Sequence, residues 1–484
     1  MFVGDNKLVL STKVMRLALS KRGYFLPLFP YIHKIIDFIH CFLAGIPVLT
    51  YGLQNGWMSP FIIVLQSENS PSGYPLSNNE ISLIASGIST VAIGTAVIYG
   101  YIADAFGRRL SLILVVLPQI LGFALKLVSA HPISLLISQV CCGIAGGGVF
   151  CVAPIYIKEI AQDSLRGILG SFGILLLSIG LLIMYAMGAY MNYYTVLWIV
   201  TWVPVLNLIA LLVIPESPGF LVKKGKVEEA AKVMAWLRGV ETDDKEVERD
   251  IMINKNEIAE YENLPPVSWK SILSEQTSRK GLGLSFLMIT LLDMTGVYAI
   301  LTYASVILRN AGVTFAPEAQ ALSFPALMTL GSLLSVLTIE RFGRKPLIMI
   351  SAILSGIPLA ILGGLILVQR NGESLPSWLA VVCIGVCLYS SGQHMPLPYV
   401  VISEMFSMQL RTKILGLLVC YSWAVCAVQT MVFAPITEYF GMHTMFFGFS
   451  LFNFIGVIIV YVALPETKGK TLVQLSKELE GRRK

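Results

Sequence analysis

The sequence predicts an all-α membrane protein: twelve transmembrane helices in two pseudo-symmetric six-helix bundles. Three observations carry that reading. Hydrophobic residues make up 55% of the 484 and charged residues only 13%, against about 25% charge in a soluble domain. Apolar runs of the roughly 20 residues needed to cross a bilayer recur twelve times between clusters of charge. Short signatures in the first half return, in order, in the second.

The apolar runs fall at 35–65, 80–103, 110–128, 133–157, 168–190 and 196–214, then at 281–308, 319–339, 346–368, 377–406, 414–440 and 444–464. The chain therefore divides into an N-terminal segment (1–34), a first bundle (35–214), a helical linker (215–280), a second bundle (281–464) and a tail (465–484). The linker holds 11 Lys/Arg and 13 Asp/Glu. Within it, Val227 to Arg238 has helical apolar spacing, and Glu246 to Glu262 is a second candidate helix. So few aliphatic residues support only a marginal core, so both helices are expected to lie solvated against the membrane face. Basic residues through Lys34 precede an apolar run too long for a cleavable signal peptide, so the first span is expected to direct its own insertion.

Orientation follows from the basic residues. The segments on the side of the two termini and the linker carry 32 of the 35 Lys/Arg, leaving Lys126, Arg309 and Arg370 for the other side and the span ends. The positive-inside rule makes the crowded side cytoplasmic, the expectation being a multi-pass protein of the plasma membrane with both termini inside. The same bias accounts for the net charge of +6, so no nucleic-acid partner is implied; the partners expected are the lipid bilayer and a small solute. The eight cysteines all lie in apolar stretches and read as buried small residues. Neither they nor the five scattered histidines show the spacing of a metal site or a nucleophile–base pair. No enzyme activity, metal or cofactor is expected.

Three pairs of signatures establish the duplication. Asp104-Ala-Phe-Gly-Arg-Arg109 returns as Glu340-Arg-Phe-Gly-Arg-Lys345, an offset of 236. Glu159 and Arg166 return as Glu404 and Arg411, offset 245, and Pro215-Glu-Ser-Pro returns as Pro465-Glu-Thr-Lys, offset 250. Two like halves in register suit a protein that rocks one half against the other around a central site.

The same residues carry a family resemblance. Asp104-x-x-Gly107-Arg108-Arg109, Pro154-x-Tyr156-x-x-Glu159, Arg166-Gly167, Pro215-Glu216-Ser217-Pro218, Gly343-Arg344-Lys345, Pro396-Leu397-Pro398 and Pro465-Glu466-Thr467-Lys468-Gly469 resemble, in this order and spacing, the sugar-transporter branch of the major facilitator superfamily. Gly56-Trp57-x-Ser59-Pro60 looks most like the insect trehalose and sugar facilitators; glucose facilitators are similar too. The resemblance implies the major facilitator fold and transport of a hexose or a trehalose-like disaccharide by alternating access, by facilitated diffusion.

The charged turns read as a latch that holds an outward-facing state, with opposing charges pairing across the two halves. Glu159, Arg166, Glu404 and Arg411 are its core, with Asp104, Arg108 and Arg109 in the first repeated turn. The resemblance gives the same role to Glu216, Glu340, Arg344 and Glu466. The chain departs from the family where Gly219 and Gln139 replace arginines and Thr412 replaces a glycine, which thins the latch.

In the central site, the family's span-seven Gln-Gln-Leu-Ser-Gly and following Asn read Leu292-Asp293-Met294-Thr295-Gly296-Val297-Tyr298 here. Ile174 and Met328 replace further amides, Tyr399 replaces the Trp after Pro-x-Pro, and Ser391 fills a polar position of span ten. Trp423 is kept beside Ser422. The candidate substrate-binding set is Gln54, Asp293, Thr295, Tyr298, Tyr303, Ser391, Tyr399, Ser422 and Trp423, with Trp57 as a further aromatic. A mid-membrane carboxylate is costly and usually faces a cavity, which singles out Asp293; no Lys or Arg is expected in the apolar part of a span to neutralise it. Gln54 stands where proton-coupled relatives carry an Asp and favours a facilitator. Two rivals remain: a proton-coupled symporter using Asp293, and a non-transporting sensor, suggested by the lost amides.

Overall fold

A computed structural model describes residues 29–161, 163–263, 269–313, 317–371, 376–470 and 472–481. The chain is helical throughout these segments, and nine of the helices are both long and apolar enough to cross a membrane. Two shorter apolar helices, Leu175–Tyr190 and Ser323–Ile339, fill the places of spans five and eight. Span one is Phe29–Gly56 continuing as Met58–Leu65 after a kink at Trp57. The twelve helices form the two six-helix bundles.

Their ends have local causes. Span two (Asn78–Phe106) starts at a reciprocal capping box between Ser77 and Glu80, which satisfies two otherwise orphaned backbone groups. Span four (Pro132–Ile160) starts with His131 accepting from the Ile133 N–H and Pro132 in the first turn. Spans two and three, and likewise eight and nine, meet at a single glycine, Gly107 (φ 105°) and Gly343 (φ 88°).

Close packing inside the first bundle rests on small residues, which let helices approach without a hydrophobic driving force. A Cβ on Gly143 would stand 2.3 Å from the Ile88 carbonyl oxygen, and one on Gly147 the same distance from Thr95 Oγ1, so spans two and four touch backbone to backbone. Gly52 of span one approaches Leu177 of span five as tightly.

Spans seven and ten are each interrupted. Span seven runs Gln276–Asp293, unwinds, and resumes as Val297–Asn310. Span ten runs Ser377–His394 and resumes as Leu397–Met405 after Met395-Pro396. The linker forms helices Pro218–Lys223, Val227–Arg238, Lys245–Asn263 and Trp269–Ser274. Two small apolar clusters hold it together, one around Leu221, Val222 and Ala230, the other around Met234, Ala235 and Val247. It docks on the first bundle through an edge-to-face contact of Trp236 with His40 and an Arg238 bond to the Ile160 carbonyl, 3.1 Å.

Side-chain contacts between the halves lie at the centre and toward the face opposite the linker. Ser59 meets Ser305 at 3.3 Å, Asn78 donates to Glu438 at 3.2 Å, and the Tyr185 hydroxyl donates to the Leu301 carbonyl. At the centre, Trp423 of the second half packs on Tyr51 and Phe150 of the first.

Candidate functional site

The break in span seven is the pivot of the centre. Gly296 takes φ 80° there, and the carbonyls that the unwound turn releases are bonded by neighbouring spans. Gln429 Nε2 donates to Asp293 O at 3.0 Å, Asn453 Nδ2 to Met294 O at 3.3 Å, and Cys387 Sγ to Thr295 O at 3.7 Å. Irregular backbone is tolerated at membrane depth only where protein satisfies it in this way. Asp293, fully buried, ends the first half-helix. Its Oδ1 accepts from Ser422 Oγ at 3.0 Å and Cys426 Sγ at 3.7 Å, while Oδ2 is buried without a partner.

Beside this break, side chains of both halves enclose a small central cavity of about 10 Å³, room for no more than a single water. Its aromatic wall is Tyr51, Tyr298 and Trp423, with ring centroids of Trp423 6.4 Å from each tyrosine. Its polar wall is Asn55, Ser89, Gln139, Thr302 and Thr430. A larger opening of about 480 Å³ lies on the face opposite the linker, lined by Gln66, Asn78, Tyr303, Gln369, Arg370 and Glu438 among others.

The candidate substrate residues distribute unevenly over this geometry. Tyr298 and Trp423 line the cavity, and Asp293 and Ser422, the residue before Trp423, bond one another outside its lining. Tyr303 stacks on Phe433 at 4.6 Å and lines the larger opening instead. The Thr295 hydroxyl bonds the Leu292 carbonyl at 2.8 Å and Ser391 Oγ bonds Cys387 O at 2.9 Å, so both close their own helices. Tyr399 packs in the apolar cluster of the second half. Gln54 does not reach the cavity: it is fully buried inside the first half, donating to the Gln119 carbonyl of span three at 3.1 Å, and its neighbour Asn55 lines the cavity instead. One residue's difference is a 100° rotation about a helix, enough to turn one amide inward and the other across.

Lys126 corrects a second expectation. It was read as belonging to a span end, yet it is fully buried within the first half. Its ammonium lies 4.1 Å from the Trp57 ring centroid and 3.5 Å from Gln139 Oε1. Trp57, also fully buried, covers this lysine and does not line the central cavity. A lysine flanked by Leu125, Leu127 and Val128 was the available sequence signal.

The charged turns also differ from the expectation of pairing across halves. Among the described residues, their ion pairs each stay within one half. Arg108 holds Glu159 through Nη2 at 3.0 Å and Nε at 3.1 Å, and also approaches Asp104 at 3.4 Å. The backbone N–H groups of Arg108 and Arg109 donate to Glu216 Oε1 at 2.9 and 3.1 Å, and the Arg109 side chain donates to the Leu211 and Leu212 carbonyls. The second half repeats the arrangement: Arg344 Nη2 to Glu404 at 2.7 Å, and the Arg344 and Lys345 N–H groups to Glu466 at 3.0 and 3.1 Å. Only glycine fits between: a Cβ on Gly107 would stand 2.3 Å from Glu216 Oε2 and one on Gly343 2.8 Å from Glu466 Oε2. A short turn folding back on the Pro-Glu of its own half brings these charges together within that half. Glu404 and Arg411 are not partners either; Arg411 bonds the Phe406 carbonyl at 3.5 Å, and its Nε is buried without a partner. The side chains of Arg166 and Glu340 lie outside the described residues. Gly219 has a steric reason to lack a side chain, since a Cβ there would stand 3.0 Å from Glu159 Cδ.

Burial works to raise the pKa of Glu466, but N–H bonds from Lys468, Arg344, Lys345 and Thr467 outweigh it and hold the carboxyl below its usual range.

A protein-family profile described as "Sugar (and other) transporter" matches residues 41–479. The chain belongs to this transporter family. Its membership makes it a multi-pass membrane transporter and not an enzyme. Among curated relatives of the family, the "Facilitated trehalose transporter Tret1-2 homolog" of Drosophila simulans is 25% identical over 438 residues, 90% of this chain and 89% of the relative. Among solved structures, the fold is similar to the inward open conformation of the xylose transporter XylE from E. coli, with TM-score 0.74 and 19% identity over 91% of this chain and 99% of that one. The partially occluded inward open conformation of XylE gives TM-score 0.72 and 20% identity, covering 90% and 99%. The fold is therefore that of the major facilitator superfamily.

Proposed function

We propose that this chain is a sugar facilitator that works by alternating access, carrying a hexose or a trehalose-like disaccharide across the plasma membrane. The linker and both termini face the cytoplasm. The observation that carries the reading is the central cavity, where rings from both halves, amides of the first and hydroxyls of both converge beside a broken helix. An aromatic face with scattered hydrogen-bonding groups suits a polyol, which presents apolar CH faces and many hydroxyls. Because the cavity is collapsed here, substrate enters only when the halves move apart. The trehalose-transporter relatives support a disaccharide as well as a hexose.

In the alternative state, the linker-face charges form the clasp. The partnerless buried atoms Glu159 Oε2, Glu404 Oε2 and Arg411 Nε are the groups free to bridge the halves.

Labelled-sugar uptake in proteoliposomes, with and without a pH gradient, tests the reading. Saturable uptake without a gradient is expected; no uptake of any sugar would favour a non-transporting sensor. The second reading, proton coupling, rests on Asp293 Oδ2, a buried carboxylate oxygen with no partner. Gradient-driven accumulation that is lost in Asp293→Asn would favour it. In a facilitator, Asp293→Asn keeps uptake, whereas Asp293→Leu strands Ser422 and costs about 1–3 kcal/mol, visible as a lower thermal midpoint.

A further inference from the structure

The buried lysine of span three has no role in the reading above. Its ammonium has no exposed surface and, among the described residues, no carboxylate in ion-pair range; it faces the Trp57 and Phe123 rings, with centroids at 4.1 and 5.8 Å, and Gln139 Oε1 at 3.5 Å. A charged lysine has three donors and no acceptor, so it can engage Gln139 only through the amide oxygen. The direction of that amide is thereby fixed. Its other end, Nε2, is buried without a partner, and Gln139 belongs to the wall of the central cavity. A buried donor left unpaired is a standing penalty that a ligand acceptor relieves.

We propose that Lys126 is a positioning residue that holds Gln139 with its amide nitrogen free to donate to a hydroxyl or ring oxygen of the substrate. Trp57 acts as the lid that keeps the ammonium in place, a cation–π contact strengthened by the full burial of both side chains. Gln139 thus becomes the first half's main donor to the substrate, beside Asn55 and Ser89 on the same wall. The assignment rests on the sugar reading.

Sugar-uptake kinetics in proteoliposomes test it. Gln139→Leu raises KM about tenfold with the maximal rate unchanged. Gln139→Glu raises KM equally, because it loses the donor, while pairing with Lys126 preserves its thermal stability. Lys126→Met raises KM, Lys126→Arg restores it, and the Lys126→Met/Gln139→Leu double variant is no worse than Gln139→Leu alone, as residues acting in series require. Wild-type KM in both Gln139 variants, or an additive double variant, overturns the assignment while leaving the sugar reading intact. Should Lys126→Met fail to fold, Gln139→Glu and Lys126→Arg still decide it. Absence of uptake by the wild-type chain overturns the sugar reading and this assignment with it.

Discussion

Spans four and ten are repeat partners, yet they are built differently. Span four crosses as one 29-residue helix, with Pro154 accommodated inside it. Span ten breaks at Met395-Pro396, and the equally central span seven unwinds between Asp293 and Val297. The linker-face turns of the two halves, by contrast, are nearly superposable in design: an arginine on a glutamate, and two backbone N–H groups on a Pro-Glu carboxylate. The duplication has kept what braces each half and let the centre diverge. Span four offers a continuous wall stiffened by backbone-to-backbone packing; spans seven and ten offer interrupted helices, and the carbonyls freed in span seven are held by side chains, contacts that can be exchanged. Substrate-linked movement is expected to originate in the second half.

The strongest way to break this comparison is to remove a brace. Arg108→Ala and Arg344→Ala, whose side chains are 8% exposed, should each cost about 3 kcal/mol by stranding a carboxylate. Both should appear as similar falls in thermal midpoint, and Arg411→Ala, which has no acidic partner among the described residues, should show almost none. Unchanged midpoints for all three, with altered labelling from one face only, would mean that the turns serve as a latch and not as braces.

A sharper comparison sets Gly296→Ala against Gly56→Ala. The first forces a side chain onto φ 80° and a Cβ to 2.7 Å from Phe449, a strain of about 1–3 kcal/mol. The second keeps a negative φ and meets looser contacts, Leu181 Cδ2 at 3.2 Å and Leu181 Cα and Met184 Cβ at 3.3 Å. Uptake should fall markedly in the first and little in the second; equal losses would remove any special role for the span-seven break.

Glu466 gives a pH dependence. Its carboxyl is held below the usual glutamate range, so its contribution to stability is fully present above that range and is lost as pH falls through the lower folded value. A stability profile between pH 6 and 3 should show this loss in the wild type and lack that component in Glu466→Gln. The smallest effect belongs to Lys223→Ala, which breaks an exposed pair with Asp104 at 3.2 Å and should shift stability by about 0–1 kcal/mol.

Hydrophobic period and charge placement were enough to predict the twelve helices and the linker helix Val227–Arg238, because a helix in lipid must satisfy its own backbone and so needs only local sequence. The repeated turns were legible for a similar reason: a glycine that must admit a carboxylate leaves a fixed pattern around it. The partners of the charges were not legible, since pairing within a half and across halves uses the same residue types, and only the placement of the turns in space decides between them. Nor was the polar wall of the cavity. Gln54 and Asn55 are adjacent in sequence and chemically alike, and only the rotation of span one against span three decides that Asn55 meets the cavity. Lys126 looked like a border charge because sequence records how far a residue stands from the end of an apolar run, while burial depends on Trp57 and Gln139 arriving from two other helices. That is a property of packing, and only the tertiary structure decides it.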